Sequence, residues 1–255
     1  NEDAAYWEES SKVFATAKVT DEQLQGFLKA AAPDHNFTSG MFLSGFPSRT
    51  MQAQLDIWEM SKVIRSDESL TDMVNRTAAP KLLTALRKHP AGGAVIELID
   101  KYNETYGHQI YSLDFAEPTA AEDPIPIMVA LKAQVQDTNY DPAKHHAEVS
   151  EKRKQAVREI RNVLDDNAMA QFRWHLWRAR NFYPHREEVV FWLGGGWPLL
   201  RKMARALGQR MVDVGTFNEP DDLYFLRTEN IEKAIAARAN NRSLPELMQL
   251  AAEQR

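Results

Sequence analysis

At 255 residues, 44% hydrophobic and 26% charged, the chain can bury a substantial core and has room for one or two domains. A formal net charge of −5 gives no electrostatic footprint for nucleic acid, which would demand a basic stripe, and no apolar run approaches the ~20 residues of a transmembrane helix. The absence of cysteine removes disulfides, thiol nucleophiles and cysteine metal ligands together, and fits a soluble protein of the cytoplasm.

Asn1-Glu2-Asp3 runs straight into a helical pattern, with no Met and no basic-then-apolar leader, so a piece of a longer polypeptide is expected. Trp7, Val13 and Phe14 predict a short helix over 4–16. Thr20-Asp21-Glu22-Gln23 has the spacing of a capping box and predicts another, carrying Leu24, Phe27 and Leu28 and ending before Pro33. Residues 36–47 read as a loop. Phe37, Met41, Phe42, Leu43 and Phe46 give it more apolar surface than water tolerates, so it is expected to fold inward.

A helix from about Ser48 to Arg65 follows, with Met51, Leu55, Trp58 and Lys62 on one stripe and Ile57, Met60 and Ile64 beside it. Ser69 is placed to cap a short helix, and Pro80 to open the next, which ends near Pro90. Residues 91–106 form a helix with Val95, Leu98, Ile99 and Tyr102 inward, stopped by Gly107. His108 to Pro124 is an irregular connection too long for a simple turn. Helices follow over 125–136 and, opened by Asp141-Pro142, to about Leu164; the charged face over 144–161 reads as solvated. Separate helices are predicted over 167–181 and 186–214, a short extended segment over 222–226, and two closing helices over 228–239 and 244–254.

This pattern predicts an all-α multi-helix bundle, a single domain over 1–255 with any subdivision near 137–141. Gly194-Gly195-Gly196, followed by Trp197-Pro198, should kink or break its helix. No strand precedes these glycines, so they are not a phosphate loop. A close backbone approach, room for a ligand, and a helix crossing all remain open as reasons for them.

Two islands carry a resemblance. One is Arg186-Glu187, then a long helix with Leu207-Gly208 and Gly215, then Asp222-Leu223-Tyr224-Phe225-Leu226 with Glu229 behind it. The other is Tyr106-Gly107-His108, Leu113-Asp114, Pro118 and Glu122-Asp123-Pro124. Together they resemble the helical middle region of the phosphoenolpyruvate-utilising enzyme superfamily, which includes phosphoenolpyruvate synthase, rifampin phosphotransferase and phenylphosphate synthase. Gln109, Asn230 and the glycine triplet depart from that pattern and leave the substrate open.

The resemblance implies a division of labour. An ATP-grasp domain, using ATP and Mg, phosphorylates a histidine on a swivelling domain, and that domain delivers the phosphoryl group to an acceptor held by a helical domain. The swivelling domain's Gly-Gly and Ser/Thr-His signature is absent here, as are ATP-grasp and Walker signatures. This segment is therefore expected to hold no cofactor and to bind a small hydroxyl acceptor with apolar or aromatic bulk. The alternative is a structural or regulatory module that keeps the fold without the pocket.

Arg186 is the first catalytic candidate, as a guanidinium clamp on the phosphoryl group in transit; a structural ion pair is the competing role. Glu187 can orient Arg186, accept the acceptor's proton, or simply suit a helix start. His108 can serve as base or hydrogen-bonding group, or cap the preceding helix. His185, Trp192, Gly195, Tyr106, Met41, Phe42 and Phe46 complete the expected substrate contacts. His145-His146 has no partner at metal-ligand spacing, so no metal site is expected.

Overall fold

The computed structural model describes residues 2–255, with side chains from Glu8 onward, so Trp7 lies outside the described side chains. The chain divides into two units, Asn1–Glu104 with Pro124–Trp192, and Thr105–Asp123 with Leu193–Arg255. Residues 137–141 lie inside the first. Among the described residues there is no strand beyond one isolated antiparallel bridge, Ile110 to Thr119, and the fold is all-α. No helix among them is long and apolar enough to cross a membrane.

The first unit holds α1 (Glu2–Ala31), α2 (Ser39–Leu43), α3 (Arg49–Arg65), α4 (Glu68–Arg76), α5 (Ala79–Lys88), most of α6 (Gly93–Tyr106), α7 (Ile125–Gln136), α8 (Pro142–Arg161) and α9 (Asp166–Leu193). Three local expectations are corrected. Thr20 does not start a helix: α1 runs through it, and its hydroxyl donates back to the carbonyls of Thr16 and Ala17. Asp67, not Ser69, caps α4 by accepting the Leu70 amide at 2.8 Å, while the Ser69 hydroxyl steadies that carboxylate. No break separates 181 from 186, because α9 continues through Pro184. The proline ring removes the amide bond that the Arg180 carbonyl would otherwise accept, and packing along the rest of the helix outweighs that cost of roughly 3 kcal/mol.

Burial then selects among the predicted stripes. In α3, Ile57, Met60 and Ile64 are enclosed, whereas Met51, Leu55 and Trp58 are half-buried, and the Lys62 ammonium sits 4.2 Å over the Trp58 ring. Ser48 caps this helix through the Met51 amide, and α3 packs on α7 and α4. One core joins Leu24 and Leu28 of α1, Phe42 of α2, Ile160 of α8, and Phe172 and Leu176 of α9. Phe42 meets Phe172 edge-on with ring centroids 5.1 Å apart, so the apolar stretch of 36–47 turns Phe37, Phe42 and Leu43 inward, with the short helix α2 in place of the expected continuous loop. On α8 only Pro142, Ala156 and Ile160 are buried, leaving the charged face in water.

The second unit contains α10 (Trp197–Val212), a 3₁₀ turn over Pro220–Phe225, α11 (Thr228–Ala239) and α12 (Glu246–Gln254). The short extended segment expected at 222–226 is thus a 3₁₀ turn, begun by Pro220 and held where Asp222 accepts the amides of Asn218 and Glu219. Met211, Phe217, Leu226, Ala234, Leu247 and Ala251 form its core. The long connection is fastened by Arg201, only 3% exposed, which reaches Glu122 at 2.6 Å and donates to the Phe115 carbonyl.

Burial pushes the Glu122 carboxyl up, but the Thr119 amide and the Arg201 guanidinium outweigh it and hold the group below its ordinary value. A carboxyl depressed in the folded state contributes stability above its unfolded pKa of ~4.3 and loses that contribution as pH falls through the folded value. The second unit is therefore expected to lose stability below about pH 4, and Glu122→Gln to flatten that acid limb. Chemical denaturation at stepped pH checks both.

Candidate functional site

A cleft of about 460 Å³ opens in the first unit between the α2–α3 connection, the start of α3, the N-terminal half of α8 and the stretch of α9 around Pro184. Small-molecule sites occupy ~300–1,000 Å³, so this one has a suitable size. Its rim is set by Gly45, whose φ of +72° and close approach to the Ser150 backbone admit no side chain; a Cβ there would lie 2.8 Å from the Ser150 nitrogen.

That turn swings Phe46 into the cleft, and two arginines hold the ring. The Arg153 guanidinium lies 3.7 Å from its centroid and the Arg180 guanidinium 5.3 Å. Arg153 also donates to the Ser44 carbonyl at 2.8 Å, and Arg180 to the Phe42 carbonyl. Burial draws both below the ordinary arginine value, Arg180 further so because Arg153 is near. Both remain charged, since arginine's unperturbed pKa is so high.

The opposite wall is polar. His145 and His146 come from α8, and Tyr183, His185, Glu187 and Glu188 from α9. Arg49 pairs with Glu188 at 3.0 Å and rests 4.9 Å over Phe191. The Glu187 Oε2 atom is enclosed and has no hydrogen-bond partner. A carboxylate oxygen in that position calls for a donor, and Glu187 itself borders the cleft. Met51 and Val149 supply apolar surface beside it.

A family model for the rifampicin phosphotransferase fourth domain matches residues 11–187. The chain belongs to that family. Its cleft therefore lies in a phosphotransferase-related domain, and the matched stretch contains every lining residue except Glu188. A curated relative, chondramide synthase cmdD of Chondromyces crocatus, is 24% identical over 196 residues, which is 75% of this chain and 5% of that protein. The match covers the second sequence island at 106–124 but stops at Glu187, so most of the first island lies beyond it.

Of the expected site residues, His185, Glu187 and Phe46 meet in the cleft. Arg186 does not line it; its guanidinium lies 4.9 Å over the Tyr183 ring. Phe42 is fully enclosed in the core, and Met41, 44% exposed, borders a separate hollow with Lys152 and Arg153. Trp192, at the end of α9, is exposed and meets Phe191 edge-on. Tyr106 (buried), His108 and Gly195 belong to the second unit. Among the described residues no group of three His, Cys, Asp or Glu could hold a metal ion.

The glycine triplet does end α9, and Gly194 shows why one of its members is a glycine. A Cβ there would run into the His108 carbonyl oxygen and the Ile110 side chain, all within the second unit. Gly194→Ala is expected to cost about 1–3 kcal/mol, the usual range for overpacking, as measured by denaturant titration.

Arg49, His145, His146 and Tyr183 are among the cleft residues that sequence reasoning did not assign. The histidine pair was weighed only as a metal site. Arg49 finds Glu188 across 139 residues, a contact for which no local signal exists.

Proposed function

We propose that the cleft binds the acceptor of a phosphoryl transfer, a small hydroxyl compound with apolar or aromatic bulk. The phosphoryl group arrives on a histidine of a separate swivelling domain charged by an ATP-grasp domain; ATP and Mg belong to that partner. One observation carries the reading: within the family-matched stretch, Glu187, whose Oε2 is enclosed and unpartnered, borders a cleft that Phe46 and Tyr183 also line.

Glu187 accepts the hydroxyl proton as the oxygen attacks phosphorus and the P–N bond breaks, which returns the free imidazole to the swivelling domain. Phe46 and Met51 cover the acceptor's apolar body, and His185 and Tyr183 orient it. Transfer from phosphohistidine needs this positioning more than covalent help from the acceptor domain. Rifampicin, the acceptor in the family's own name, and simple phenols are the first probes. Saturable binding that is weakened by Phe46→Ala supports the reading, and no binding by any hydroxyl compound overturns it.

A further inference from the structure

We propose that a second site, a groove between α1 and α9, binds a planar aromatic monocarboxylate. The groove has a volume of about 430 Å³ and is bordered by Gln23, Gly26 and Phe27 of α1 and by Trp174, His175 and Arg178 of α9.

Its walls are aromatic and already arranged. His175 stacks on Phe27 with ring centroids 5.2 Å apart and meets Trp174 edge-on at 5.0 Å. Trp174 nevertheless leaves 53% of its surface in water. A large aromatic held in a fixed attitude and half exposed offers a face for another ring.

One edge of it is the exposed backbone of Gly26. Glycine inside a helix is unfavourable relative to alanine, and here packing does not require it, because a Cβ at Gly26 would meet nothing within 4 Å. A larger residue there would extend into open space at the groove's edge.

Its charge identifies the anion. Arg178 donates to the neutral Gln23 Oε1 at 2.9 Å and lies 4.6 Å over Trp174, and among the described residues no carboxylate lies within ion-pair distance of it. Asp21 and Glu22 line a separate hollow that also borders Gly26. Burial, and then the nearby Arg178, push His175 below its ordinary value, so its ring is a neutral wall. One guanidinium beside a neutral imidazole suits a monoanion, and the planar fork of arginine suits a carboxylate.

The test is a two-dimensional NMR titration of the protein with 2-naphthoate, with 2-naphthamide as the neutral analogue of the same shape. Saturable shifts are expected at the amides of 23–30 and 174–178, with naphthamide and the Arg178→Gln variant each about tenfold weaker, the worth of one charge-assisted hydrogen bond. Gly26→Leu should abolish binding without lowering the melting temperature, since its side chain enters open space. Three outcomes would overturn the proposal: no saturable shifts, equal binding of naphthamide, or undiminished binding by Gly26→Leu. The groove shares no lining residue with the cleft and naphthoate has no hydroxyl to phosphorylate, so the result is independent of the acceptor reading.

Discussion

Replacing Arg201 by alanine is expected to destabilise the second unit by about 3 kcal/mol, the low end of the range for removing one partner of a buried ion pair. The low end applies because Glu122 keeps 27% of its side chain in water and retains the Thr119 amide at 2.9 Å and Arg205 at 3.8 Å. The loss has three parts. The Glu122 carboxylate forfeits its closest cation, the Phe115 carbonyl forfeits its donor, and the guanidinium no longer covers the Tyr224 ring, now 5.0 Å away. Arg201→Lys should recover only part of this, because an ammonium cannot serve the carboxylate and the carbonyl with one rigid fork. Denaturant titration of Arg201→Ala, Glu122→Gln and the double variant gives the coupling directly. Additive losses would mean that the pair does not fasten the connection.

Glu187→Gln is expected to lower acceptor phosphorylation by about 10²- to 10⁴-fold, the typical worth of a general base. The variant keeps the shape of the side chain and removes only the proton acceptor. Since the buried Oε2 has no partner to lose, thermal stability should be unchanged or slightly raised. Turnover would be followed with the proposed swivelling and ATP-grasp partners present, with kcat and KM separated. A fall in kcat at nearly constant KM fits a base, whereas unchanged turnover in Glu187→Gln would remove Glu187 from the chemistry.

Local rules made most of the fold legible. Asp141 caps α8 through the Ala143 and Lys144 amides, Pro80 opens α5, and the glycine triplet ends α9, all from signals confined to a few residues. Two of the misreadings share a cause, tertiary packing overriding a local signal. Thr20 has the spacing of a cap, yet its hydroxyl can return to the preceding turn because Leu24 and Leu28 are drawn into the core on the same helix. Pro184 and the aromatic cluster around it suggest a stop, yet α9 is anchored on either side by Ala179 and Phe191.

The candidate site was legible where composition clashed with context. Phe46 stood out as a large aromatic in a loop, and it lies in the cleft. Glu187 was singled out through the family resemblance and His185 as the neighbour of Arg186, and both line that cleft. Arg49, His145 and His146 have unremarkable neighbours in sequence; only the folding of α3, α8 and α9 around one space gives them a place. The two sequence islands also have a physical relation. Glu122 of one and Tyr224 of the other both contact Arg201, so part of the pattern they share is the fastening of the second unit.

Gly45 has a consequence for selectivity. It is a spacer: the distance between the α2–α3 connection and α8 is a backbone-to-backbone separation, independent of the side chains that face the acceptor. Chemistry and aperture are therefore set by different residues. On the proposed acceptor reading, exchanges at Phe46, Met51 or His146 would retune which acceptors are preferred within a fixed gauge, whereas any side chain at position 45 must wedge the connection away from α8 and would alter the size limit for all acceptors at once.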